Sequence, residues 1–268
     1  MEVKGRQPLP HPFSTTCSTV SRVFTREECT KLISRIADPQ KIDTREDKEN
    51  ASPSPSSSNY LIERIVERTS LKDNELAQWL WDHLREFLPP NWKVDQEDEH
   101  MGPFATGEWE LEGIDHRIQL YRYEPGGIFT KHRDGPTYHS ADLRSFFTVL
   151  VYLNEGYQGG HTTLFTDDLA THCKVEAGLG SCFVMLQRTL HEGSRVEEGL
   201  KYALRCDVLY RRSSGRADDC VRHLSTHEQA QEWFKLASCL ELSGCVDASV
   251  PYYQKANKLD PSVLESSS

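Results

Sequence analysis

Two imidazoles and a carboxylate occur in the order His132-Arg133-Asp134 and then His191 in this 268-residue chain. On an extended strand, residues two apart face the same side, so His132 and Asp134 can reach one ion. His191 follows the apolar run CFVML (Cys182 to Leu186) and supplies a third ligand. Two imidazoles and one carboxylate suit a ferrous ion, covering one face of its octahedron and leaving the other face open to O2 and a co-substrate. A chain with 11 His also forms His-x-Asp pairs by chance, and a polar turn is the plain alternative. His139 with Asp142, and His161 after Gly159-Gly160, are further ligand candidates for which a turn or rim role suffices.

The His-x-Asp pair stands inside an ordered set: YRYEPGGIFTKHRDG, TVLVYLNEGYQGGHTTLF and LHEGSRVEEGLKYALRCDVLY. These stretches resemble the iron(II)/2-oxoglutarate-dependent dioxygenases, specifically the prolyl 4-hydroxylase-like branch. The resemblance spans roughly residues 20 to 212 and is most specific between Tyr121 and Tyr210. It implies His132, Asp134 and His191 as iron ligands. Lys201, ten residues after His191, would pair with the distal carboxylate of 2-oxoglutarate, and Tyr123 would hydrogen-bond the same molecule. A dicarboxylate needs a cation at its end away from the metal, and Arg205, four residues beyond Lys201, points the same way on a regular strand. Either cation can be the main anchor, and spacing favours Lys201; a solvated strand face is the alternative for both, and a packed core tyrosine for Tyr123. Thr148 and Tyr152 fall on a strand that lines this pocket in the family, where packing is the favoured role for each. The implied activity is hydroxylation of a protein residue, prolyl by resemblance, or of a small molecule. It uses Fe(II), 2-oxoglutarate and O2, with ascorbate as a further reductant, and yields succinate and CO2.

Those residues need a scaffold, and the pattern predicts an α+β fold: a double-stranded β-helix (jelly roll) with flanking helices and a C-terminal helical hairpin. Thr25 and Glu28 make a capping box for a first helix through Ile36, and Asp73 caps a second that ends before Pro89-Pro90. Five short segments rich in β-branched and aromatic residues read as strands: 118–123, 145–153, 162–165, 181–186 and 202–210. The domain is expected over residues 20–212, after a flexible N-terminus at 1–19, with a low-complexity insertion at 41–59 that includes SPSPSSS. Residues 220–265 are expected to form a helical appendage in which Trp233, Leu236, Ala237, Leu240, Gly244, Ser249, Tyr253, Ala256 and Pro261 fall at the spacing of one tetratricopeptide-like repeat, an ordinary two-helix appendage being the alternative. A solitary repeat cannot bury its apolar face, so the tail should pack on the domain, on a protein partner or on another copy.

Composition narrows the function classes. A formal charge of −10 argues against a nucleic-acid partner, although His116, Arg117, Arg122, Lys131, Arg133 and Arg144 make a locally basic strip near the expected site. No stretch of about 18 apolar residues offers a membrane span. The first residues lack an apolar signal-like stretch, so the expected location is cytoplasmic or nuclear. The eight cysteines include no C-x-x-C pair, which removes support for a zinc ribbon or a thioredoxin-like motif. Two other classes compete with the oxygenase. One is an inactive jelly-roll adaptor using its tail; the other is a zinc hydrolase, which has no need of a cation ten residues past His191.

Overall fold

Alternating side chains make a strand present one face to a core, and this chain places two such sets of strands against each other. The structure, a computed structural model, describes residues 6–36, 64–95 and 99–265; the insertion expected at 41–59 lies outside them. Two compact units emerge: Met1–Leu88, Gly113–Asp134 and Phe147–Val208 form the first, and Pro89–Glu112, Gly135–Phe146 and Leu209–Ser268 the second.

In the first unit, one antiparallel sheet has the strand order Arg6–Pro8, Cys17–Val20, Cys182–Leu186, Leu143–Tyr152, Lys201–Arg212, Arg117–Tyr123, Glu67–Lys72. A second sheet runs His172–Lys174, Thr162–Phe165, Leu190–Gly193, Ile128–His132, Arg64–Ile65. This is the jelly roll. Leu164 of the second sheet packs with Tyr152, Phe183 and Met185 of the first to close one end of the sandwich. Arg6–Pro8 pairs in register with Cys17–Val20, which in turn pairs with Cys182–Leu186, so the chain from Arg6 onward is part of the domain and not the flexible leader expected to residue 19.

Both N-terminal helices form where expected. In Arg26–Ile36, the Glu28 amide donates to Thr25 Oγ1 (3.2 Å) and the Thr25 amide to Glu28 Oε2 (2.8 Å), closing the capping box. In Asn74–Leu84, Asp73 accepts from the Leu76 amide at 2.9 Å. Cys29 and Leu32 of the first and Leu76, Leu80 and Leu84 of the second are buried.

Gly180 ties the first helix to the sheet. Its carbonyl accepts from the Phe24 amide at 3.0 Å, its amide donates to Tyr152, and its φ is +70°. An added Cβ would meet the Phe24 carbonyl oxygen at 1.9 Å. Gly180→Ala is therefore expected to destabilise the protein by at least about 3 kcal/mol, from left-handed strain plus displaced backbone, read as a lower urea midpoint at unchanged slope.

In the second unit the tail forms the helices Thr226–Leu242 and Val246–Leu259, the first opened by a Ser225/Glu228 capping box. They do not make a core alone. Trp233, Leu236, Leu240 and Ala256 share one cluster with Phe104, Tyr138 and Ala141, and the Phe104 ring lies 4.3 Å from Trp233. Residue 212 is thus not where compactness divides the chain. Buried Arg144 donates to the carbonyls of Met101 and Pro103 and lies over the Tyr138 and Phe146 rings, inside this unit.

Candidate active site

Cross-strand register assembles the site. His191 stands opposite His132 where Leu190–Gly193 pairs with Ile128–His132, and the two rings lie 4.2 Å apart. Asp134 lies beyond the end of that strand, so the expected same-face strand pair is not how it arrives. Its amide instead bonds to the Gln187 carbonyl (3.0 Å), turning the carboxylate back toward the imidazoles. His132 Nε2 is 3.7 Å from Asp134 Oδ1, and one ligand atom from each of His132, Asp134 and His191 lies within 4.8 Å of the others.

The donor chemistry fits a divalent cation. His132 Nδ1 donates to the Thr130 carbonyl (2.8 Å) and His191 Nδ1 to the Thr189 carbonyl (2.9 Å). A carbonyl can only accept, so each Nδ1 carries the proton and each Nε2 keeps its lone pair for a metal. Burial, aided by the neighbouring His191, pulls the His132 pKa down to about 3 and keeps the ring neutral. Burial opposes ionisation of Asp134, but the Arg205 guanidinium beside it, with a hydrogen bond from Thr148, outweighs that and holds its pKa at about 2. Phe129 stacks on His132 at 3.5 Å and dries that side.

A cleft opens from these three side chains, and Tyr123, Tyr152, Thr162, Lys201 and Arg205 line it. Register again sets the walls: Lys201 pairs with Tyr123 and Arg205 with Gln119 on adjacent strands. Lys201 is 3% exposed, donates to the Gly160 carbonyl at 2.7 Å, and lies over the Tyr123 and Tyr152 rings at 5.0 and 5.5 Å. Gly160 at φ +64° leaves room for this approach, since a Cβ there would crowd Lys201 Cδ at 3.2 Å. Among the described residues no carboxylate lies within ion-pair distance of Lys201, and burial lowers its pKa to about 8. Burial raises the Tyr123 phenol, which stays a proton donor.

Residues 118–206 match the family model of the 2OG-Fe(II) oxygenase superfamily. The chain carries a 2OG-Fe(II) oxygenase domain. Among solved structures it is similar to the viral collagen prolyl hydroxylase of Paramecium Bursaria Chlorella virus-1 in complex with 2OG, at 20% identity over 73% of this chain and 96% of that one, TM-score 0.45. A Pseudomonas putida prolyl-4-hydroxylase is similar at 18% identity over 74% and 94% of the two chains, TM-score 0.45. The Trichoplax adhaerens prolyl hydroxylase, in complex with a hypoxia inducible factor oxygen degradation domain peptide fragment, is similar at 14% identity over 72% and 83%, TM-score 0.48. No curated protein matches the chain.

The oxygenase uses Fe(II) and 2-oxoglutarate, and the structure distributes the other sequence candidates around that chemistry. Asp142 is committed to Arg212 at 2.8 Å, and exposed His161 does not line the cleft. The expected basic strip is largely cancelled by acids. Arg117 pairs with Asp115 (2.9 Å), Arg122 with Glu67 (2.7 Å), Lys131 with Glu192 (3.5 Å) and Arg133 with Asp167 (3.0 Å). Thr148 does more than pack: its hydroxyl donates to Asp134 Oδ2 at 2.8 Å. Asp207 and Gln119, which contact Arg205, and the Gly160 carbonyl were not among the sequence candidates. Asp207 was within reach, because it sits two residues from Arg205 on the same strand face. No helix among the described residues is long and apolar enough to cross a membrane.

Proposed function

We propose that His132, Asp134 and His191 hold the iron, that Lys201 anchors the distal carboxylate of 2-oxoglutarate with Tyr123 donating to it, and that the oxygenase hydroxylates a protein residue, prolyl by its sequence resemblance. Lys201 carries this reading. A buried ammonium with no carboxylate beside it, in the cleft that also holds two free Nε2 atoms and an ionised Asp134, is built to receive an anion. When bound, the iron supplies the redox chemistry that couples O2 to decarboxylation of 2-oxoglutarate into succinate and CO2 and to hydroxylation of the substrate. The protein's own share is positional. Thr130 and Thr189 set the tautomers, Gly160 and the two tyrosine rings hold the Lys201 ammonium, and the two sheets exclude water from the cleft. No side chain acts as nucleophile. For the tail, exposed Leu242, Val246 and Val250 support a protein partner on the helical pair, which resembles one tetratricopeptide unit.

Anaerobic titration of 2-oxoglutarate into the Fe(II)-loaded protein, then succinate release in air, tests the assignment. A loaded protein that takes up no 2-oxoglutarate overturns it. Peptide and metabolite screens by mass spectrometry separate a prolyl substrate from a small molecule. The same titration should depend on pH. Lys201 receives the dianion only when protonated, so affinity is flat below about pH 8 and falls about tenfold per unit above it. Binding above pH 8 takes up a proton, measured calorimetrically in buffers of different ionisation enthalpy.

A further inference from the structure

We infer that Arg205 is a positioning residue for Asp134, holding its carboxylate so that one oxygen alone is offered to the metal, and that it does not anchor 2-oxoglutarate. This rests on the reading that His132, Asp134 and His191 hold the iron. Arg205 Nε lies 3.4 Å from Asp134 Oδ2, its Nη2 lies 3.0 Å from Asp207 Oδ1, and its Nη1 donates to Gln119 Oε1 at 3.3 Å. Thr148 donates to the same Asp134 Oδ2 at 2.8 Å. One carboxylate oxygen is therefore engaged twice, while Oδ1 is the atom that faces His132 Nε2. An aspartate's terminal torsion is soft, so a carboxylate without such partners turns freely and can ligate through both oxygens. The two cations of the cleft differ in charge balance. Arg205 already faces two carboxylates, whereas Lys201 faces none. An incoming dicarboxylate gains from Lys201, whereas the Arg205 charge is already shared between Asp134 and Asp207.

Arg205 also shows why the fork matters beyond the charge. It stands in ion-pair contact with Asp134 and Asp207 while its Nη1 donates to Gln119, opposite in register, and a lysine ammonium has no planar fork with which to keep all three contacts.

The test uses Co(II) alone as the probe, followed by visible spectroscopy, and then 2-oxoglutarate added at saturating Co(II). Arg205→Lys is expected to weaken Co(II) about 10- to 100-fold, the usual effect of altering a group that orients a metal ligand, and to change the shape of the Co(II) d–d band. Affinity for 2-oxoglutarate at saturating metal should stay within about threefold. Thr148→Val removes the other contact to Oδ2 while conserving volume, and should move Co(II) affinity and the d–d band in the same direction. Combined with Arg205→Lys, its effect should be non-additive. Unchanged Co(II) affinity in both single variants overturns the inference, as does a tenfold or larger loss of 2-oxoglutarate affinity in Arg205→Lys with Co(II) binding intact. His132→Ala separates this from the underlying reading: if that variant binds Co(II) like the parent, the ligand assignment itself fails.

Discussion

Lys201→Met is expected to abolish 2-oxoglutarate binding and at the same time stabilise the protein that lacks it. The two effects share one cause. With the ammonium buried, its pKa lies at about 8 instead of near 10.5, so below pH 8 the folded state holds a proton more weakly than the unfolded chain does. That gap corresponds to about 3 kcal/mol of destabilisation at neutral pH, shrinking as pH rises from 8 to 10.5 and the unfolded lysine also loses its proton. Methionine removes the penalty and fills a similar volume, but it leaves the Gly160 carbonyl without its 2.7 Å donor at a cost of about 1 kcal/mol. The net gain should be about 2 kcal/mol at pH 7, or roughly 5 °C in melting temperature for a chain of this size, and it should vanish at about pH 10 and reverse above it. Against this, leaving a carboxylate buried without its cation costs about 3–5 kcal/mol, a loss of at least about 100-fold in affinity for 2-oxoglutarate. Melting curves with and without 2-oxoglutarate measure both. A Lys201→Met protein that is less stable than the parent and still shifted upward by 2-oxoglutarate contradicts the account.

His132→Ala should remove metal-dependent turnover while leaving the fold in place. His132 is one of three side chains whose ligand atoms converge, and its Nδ1 proton already belongs to the Thr130 carbonyl. Loss of a hydrogen-bonded partner of a ligand costs up to about 100-fold in metal affinity, so loss of the ligand itself should exceed that. The structural cost is smaller. The imidazole is buried and neutral and stacks on Phe129 at 3.5 Å, so its removal leaves a cavity worth about 1–2 kcal/mol. Succinate release at saturating 2-oxoglutarate, read beside circular dichroism, checks both. A well-folded variant that retains parental turnover excludes His132 from the metal set.

Much of this protein was readable in one dimension. The Thr25/Glu28 box and the Asp73 cap are local hydrogen bonds between residues three apart, so sequence alone located both helices to within a residue at their starts. The buried strands Leu143–Tyr152 and Cys182–Leu186 were legible because apolar runs mark a two-sided core. Strands such as Glu67–Lys72 and Arg6–Pro8 were not, because edge strands with polar side chains carry no periodic signal and exist only through their neighbours. The tail's helical pattern was legible, but its dependence on Phe104, Tyr138 and Ala141 was not, since those residues are distant in sequence.

The order His132, Asp134, His191, Lys201 and the types of those residues were determined by sequence, because residue type and spacing are properties of the chain. Which cation stands unpaired was decided only by tertiary structure. Lys201 and Arg205 share a strand and a face, yet Arg205 meets Asp134 and Asp207 while Lys201 meets a carbonyl and two rings. Charge balance is a sum over neighbours in space, and the same arithmetic that cancels the basic strip against Glu67, Asp115, Asp167 and Glu192 leaves Lys201 as the buried charge in the cleft that an anion would complete.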